Sequence, residues 1–147
     1  MKELKKSTGD GSAKRHHMPS KLAIKKAIAK DTAERVRKKQ IRKPTDPEMA
    51  EINRRIDANS KAMVVDKKVH KVQKTTGDQN KQQSEIDKND LGKAAKRDAH
   101  SVVEDTKELG PKSSSATQEG AKEISSQTHE SIMAENRTIV DDVLAGR

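Results

Sequence analysis

None of the 147 residues is Phe, Tyr or Trp. Aromatic side chains bury the most area each, so a core in this chain has to be built from Ile, Val, Leu, Met and Ala. That supply is thin. Leu, Ile and Val number 5, 9 and 9, under the roughly one-fifth of residues at which a highly charged chain is suspected of disorder. Extra stabilisation from a metal, a nucleic acid or a protein partner is therefore expected. The length suits one domain, or one domain with a helical extension.

The chain has no cysteine, which excludes disulfide staples and thiolate metal sites. No apolar run approaches the ~20 residues of a membrane-spanning helix, and "MKELKKSTGD" lacks a signal-peptide core. A soluble chain without a membrane partner is expected. The net charge of +9 is unevenly held: residues 1–81 carry 23 Lys and Arg against 10 Asp and Glu, and residues 82–147 carry 9 against 13. A basic half suits a polyphosphate partner, because release of condensed counterions drives association with nucleic acid of any sequence. The missing aromatics count against base-stacking platforms, so backbone contact is the expected mode.

Local signals divide the chain. Residues 1–15 read as a mobile basic arm with a turn around "TGDGS". Pro19 disfavours helix at Met18 and Ser20 is a good N-cap, so a helix is predicted over 21–41, with Ile24, Ala27, Ile28 and Val36 inward and a basic stripe outward. Thr45 or Asp46 with Pro47 starts a second helix carrying Met49, Ile52 and Ile56 and stopping near Asn59. "KAMVVD", residues 61–66, is the one convincing strand, and Asp66 is placed to cap a short helix with Val69, His70 and Val72. From Asp78 one long helix is predicted, with Leu91, Ala95, Val102 and Leu109 on a shared side, ending at Gly110 and Pro111. "KSSSATQEG" reads as a polar linker. A final amphipathic helix over about 119–145 carries Ile132, Met133, Ile139, Val140, Val143 and Leu144. The fold class expected is mainly α with a small β-element, in three parts: the arm 1–15, a central domain 16–109, and a linker with its helix, 110–147.

Chemistry gathers around "GDGSAKRHHMPSK", residues 9–21. Phosphodiester hydrolysis needs a base for water, a cation for the charge on phosphate and leaving oxygen, and groups that hold them in line. Neutral imidazole can be the base near pH 7 and is also a common ligand of divalent metals. On an extended backbone, successive side chains face opposite ways, so one of His16 and His17 can ligate while its neighbour addresses water. His70, on the short helix, is a natural second ligand. Asn59, before the strand, can orient an imidazole N–H with its carboxamide oxygen, with Asn53 as its competitor. Lys14, Arg15, Lys21, Lys25 and Lys74 flank these residues and can clamp phosphates. His100 lies off the apolar side of its helix and His129 within the stripe of the last, so solvation and packing explain them.

The ordered set "GDGSAKRHHMPSK" followed by "TDPEMAEINRRIDANSKAMVVDKKVHKVQKTTGDQN" resembles the His-Asn-His (HNH) nucleases of the treble-clef or ββα-metal type. More narrowly it resembles the nuclease toxin domains at the C-termini of bacterial polymorphic toxins. The similarity covers about residues 7–109. It implies an HNH-like ββα-metal site embedded in long helices, with His16 and His70 as metal ligands, His17 as general base and Asn59 as the motif Asn. One divalent ion, Mg, Mn, Ni or Zn, is implied as cofactor. DNA is the implied substrate, RNA being the alternative, with a cognate acidic immunity protein as partner and delivery by a larger secreted carrier into a target bacterial cytoplasm. The sequence departs from the family where "KTTGDQN" replaces the usual Tyr-Gly-Gly segment and where zinc-knuckle cysteines are absent. Two rivals stand beside the enzyme: a non-enzymatic basic helical nucleic-acid binder, and a protein-interaction module built on the C-terminal helices.

Overall fold

Four consecutive apolar residues, Ala62 to Val65, are all buried, the pattern of a strand covered on both faces. They form β3 (Lys61–Asp66) in the middle of a three-stranded sheet. The structure is a computed structural model that describes residues 2–6, 13–66, 69–70, 73, 75–107 and 111–147. β1 (Lys2–Lys6) runs parallel to β3, with an irregularity between Glu3 and Lys6. β2 (Ala13–His17) runs antiparallel to it, pairing Arg15 with Val64, His16 with Met63 and His17 with Ala62. The N-terminal arm is therefore strand at Lys2–Lys6 and from Ala13 onward, a correction to the mobile segment read from its composition. Backbone pairing with β3 supplies what the side chains of "KELKK" do not advertise. The expected turn around "TGDGS" lies outside the described residues.

Helix starts follow their capping chemistry. α1 (Lys21–Arg37) begins where Ser20 Oγ accepts from the Ala23 N–H at 3.1 Å, and it buries Ala23, Ile24, Ala27, Ile28 and Thr32. Its end lies four residues short of the expected Ile41, and Lys39 turns to φ 59° just beyond. α2 (Asp46–Asn59) opens on a capping box in which Thr45 and Glu48 satisfy each other's backbone N–H groups. It stops at Asn59, as its spacing predicts. Val69 and His70 are helical; the Asp66 side chain and Val72 lie outside the described residues.

The long helix expected from Asp78 is two helices. α3 (Gln79–Asp87) and α4 (Leu91–Thr106) are separated by a turn, and Asp90 caps the second by accepting from the Lys93 N–H at 3.0 Å. The expected linker is also helical: α5 (Pro111–Ser125) buries Thr117, Ala121 and Ile124. Tertiary burial of these residues overrides the weak helix propensity of the Ser- and Thr-rich run. α6 (His129–Leu144) starts ten residues later than expected, where Thr128 Oγ1 accepts from the Ser131 N–H at 3.0 Å. Between the last two helices, Gln127 Nε2 donates to Met18 O at 3.0 Å and ties the bend to the start of α1.

Two apolar clusters result. One joins α1, α2 and α6 around Ile28, Ile52, Ile56 and Val140 and includes Leu91. The other joins Met18, Met63, Val65 and Val69 to Ala95, Ala99 and Val102 of α4 and to Ala121 and Ile124 of α5. α4 thus enters the first cluster at its first residue and the second along its length. The protein is mainly helical with a small sheet, and among the described residues no helix is long and apolar enough to cross a membrane.

Candidate functional site

His16 and His17 end β2, directly before the cap that starts α1. Residues opposite one another on paired strands share a face, so His16 goes with Met63 and His17 with Ala62. His16 is 2% exposed, whereas His17 is half-buried. His70, reached from the far end of β3, turns its ring edge to His16: the centroids are 5.1 Å apart and the planes nearly perpendicular at 86°. Thr75 Oγ1 lies 3.2 Å from His16 Nε2 and fixes the ring from the other side. Thr76 donates from its hydroxyl to His70 O at 2.6 Å, which anchors the segment that carries both threonines.

His16, His17, His70 and Thr75 line a cleft of about 270 Å³ with Arg15, Ser20, Lys21, Leu22, Lys25 and Asn80. Burial, then the neighbouring His70 and His17, push His16 down from 6.5 to about 3. His17 is lowered to about 4, by burial first and by the charges of Lys21 and Arg15, with Asp57 opposing. His70 is lowered by burial and by Lys14. All three rings are thus neutral at pH 7 and offer nitrogen lone pairs rather than charge. The positive charge comes instead from Arg15, Lys21 and Lys25, with Lys25 held 2.7 Å from Asp57 of α2.

Of the residues singled out in the sequence, His16, His17, His70, Arg15, Lys21 and Lys25 share this cleft. Lys14 acts on it through its charge, and Lys74 lies outside the described residues. Asn59 does not join them. Its Nδ2 donates to Glu135 Oε2 at 3.3 Å, and it lines a separate groove between α2 and α6. The C-terminal position on α2 that makes Asn59 look like a lead-in to the strand aims its side chain across at α6. His100 is exposed, and His129 Nδ1 accepts from the Leu91 N–H at 3.0 Å, a structural bond at the start of α4.

Three polar residues of the cleft carry no functional signal in the sequence. Ser20 reads only as a cap, and Thr75 and Asn80 sit in the "KTTGDQN" segment that departs from the family pattern. Asn80 is in the first turn of α3, and its Oδ1 is buried without a hydrogen-bond partner among the described residues. Among the described residues, no group of three or more His, Asp and Glu side chains is disposed to hold a metal ion. The basic stripe expected along α1 is largely paired: Lys26 with Glu85, Arg35 with Asp141, and Lys38 with Glu34. Comparison with protein-family models, with curated proteins and with solved structures finds no match to the chain.

Proposed function

We propose that the histidine cleft is the active site of a metal-dependent endonuclease that hydrolyses the phosphodiester bonds of DNA. The observation that carries this reading is the meeting of His16 and His70, from distant parts of the chain, within a cleft lined by Arg15, Lys21 and Lys25. The donor set fits a borderline divalent ion such as Zn, Ni or Mn, which accepts neutral imidazole. His16 and His70 would hold it, with phosphate, water or a neutral side-chain oxygen in the remaining positions. A bound ion there would supply Lewis acidity to the attacking water and to the leaving oxygen.

The chain's own groups account for the rest. Thr75 holds the His16 ring in one orientation, so the nitrogen donors are placed before substrate arrives. His17, on the opposite face of the strand, accepts the proton of the attacking water as the new O–P bond forms and the P–O bond to the leaving group breaks. Phosphate charge in the cleft offsets the nearby cations that lower His17, raising its basicity when substrate is bound. Arg15 and Lys21 clamp the phosphate oxygens. As an antibacterial toxin domain, such a protein would call for an acidic immunity partner that neutralises the cleft's cations.

A plasmid-nicking assay over a series of Mg, Mn, Ni and Zn tests the reading. His17→Ala should abolish cleavage and leave metal binding largely intact, whereas His70→Ala should weaken metal binding itself. Full activity in both variants would remove the mechanism. Supercoiled plasmid that persists in every metal but migrates slowly would instead identify a binder.

One observation favours a second reading. Among the described residues lining the cleft there are imidazoles, cations, hydroxyls and a carboxamide, and no carboxylate. That set also suits metal-free cleavage of RNA, in which one imidazole takes the proton of the 2′-hydroxyl as it attacks phosphorus and the Lys21 ammonium gives a proton to the leaving 5′-oxygen. RNA cleavage that persists in excess chelator, with 2′,3′-cyclic phosphate ends, would select it.

A further inference from the structure

Asn80 stands out in the cleft because its carboxamide oxygen is buried and, among the described residues, has no hydrogen-bond partner. Buried acceptors are nearly always satisfied, and an orphan in a polar cleft points to a partner that arrives with a ligand. Its placement is well determined. Gly77, at φ 63°, makes the turn ahead of α3, and the Asn80 N–H donates back to Gly77 O at 3.2 Å. Lys26 of α1 then clamps the helix, donating to Lys81 O at 3.2 Å and pairing with Glu85 at 2.7 Å. Asn80 therefore lines the cleft on a wall fixed to α1.

We propose that Asn80 Oδ1 is a ligand in the same cation site as His16 and His70, so that the donor set is two imidazoles and one carboxamide. This rests on the reading of the cleft as a metal-dependent nuclease site. Several features agree. Asn80 lines the cleft with both histidines, whereas Asn59 is committed to Glu135 in another groove. The described residues provide no carboxylate there, so a neutral oxygen is the donor at hand. A neutral oxygen also adds no negative charge to a cleft lined by cations, which keeps it attractive to phosphate, and an Asp in its place would cancel part of that attraction.

Calorimetric titration of Zn, Ni and Mn salts into the chelator-stripped full chain tests this. The wild type should take up one ion, and Asn80→Ala should bind it roughly tenfold more weakly or worse. Asn80→Asp, which keeps the oxygen and adds charge, should restore binding and shift preference toward Mn, while Asn59→Ala should bind as the wild type does. Metal-free melting curves that coincide for wild type and Asn80→Ala would show that the fold is intact. Undiminished affinity in Asn80→Ala would overturn the role of Asn80 and leave the nuclease reading in place. Failure of a folded Asn80→Asp to restore binding would show that the amide nitrogen matters and overturn the oxygen ligand. A wild type that binds none of the three ions would overturn both proposals.

Discussion

His16 is the residue on which the cleft turns, and its burial makes a thermodynamic signature. The folded protein keeps its imidazole neutral down to about pH 3, while an unfolded chain takes up the proton near pH 6.5. Below pH 6.5 the unfolded state therefore binds more protons, and stability present above that value is lost as pH falls. From this residue the slope should approach about 1.4 kcal/mol per pH unit. Urea unfolding in chelator at pH 7.5, 6.5 and 5.5 checks this, because His16→Gln should give a shallower dependence over the same range, above the carboxylate titrations. An unchanged slope would contradict the burial assigned to His16. Thr75→Val keeps the shape and removes the hydroxyl on His16 Nε2, leaving a buried nitrogen unpaired at a cost of about 1–3 kcal/mol; equal unfolding midpoints would argue that the contact contributes nothing. The sequence shows that an adjacent His pair exists and that strand geometry separates its roles. It does not show that Thr75 braces one ring, since that contact depends on a loop path with no local periodicity.

At the scale of elements, the boundaries that the sequence predicts well are those with a chemical stop or start. Ser20, Thr45 and the end at Asn59 are set by groups within a turn of each other. The boundaries that it misses are set by neighbours. α4 and α6 meet so closely that a Cβ on Gly92 would lie 2.9 Å from His129 N and 3.0 Å from Thr128 Cα. Both are backbone atoms and cannot rotate aside, so Gly92→Ala should destabilise by roughly 1–3 kcal/mol despite Ala's better helix propensity. A thermal melt that rises in this variant would show that the two helices can separate without cost. The same contact explains why α6 starts at His129 rather than near residue 119: Thr128 and His129 are held at the N-terminus of α4, where His129 also accepts from Leu91. Nothing in the Ser- and Thr-rich run that precedes it advertises that α5 will be buried on β3 and α4, because three buried side chains spread over eight residues are a weak pattern.

Across the whole molecule, the acidic half of the chain pairs with part of the basic half: Glu85 of α3 and Asp141 of α6 reach Lys26 and Arg35 of α1. The most enclosed ion pairing among the described residues lies within the acidic half and joins α3 to α4. Arg97 forks onto Asp87 at 2.7 and 2.9 Å and also binds Asp98, two carboxylates whose side chains are 3% and 2% exposed. Removing the cation by Arg97→Met takes the guanidinium away from both buried acids, so the protein should lose about 3–5 kcal/mol. Adding Asp87→Asn and Asp98→Asn to that variant should recover much of the loss. Denaturant unfolding of the three forms measures it, and an Arg97→Met protein as stable as wild type would show that the acids are not confined as the structure has them. The amino-acid sequence by itself determined the caps at Ser20 and Thr45, the buried strand from Ala62 to Val65, the small-residue composition of the core and the charge asymmetry, because each depends on residue type and on neighbours within a turn or two. Only the tertiary structure decided that His70 meets His16, that Asn59 turns to Glu135 while Asn80 enters the cleft, and that a polar run becomes a packed helix. Those outcomes depend on which distant surfaces exclude water together, and no local pattern encodes that choice.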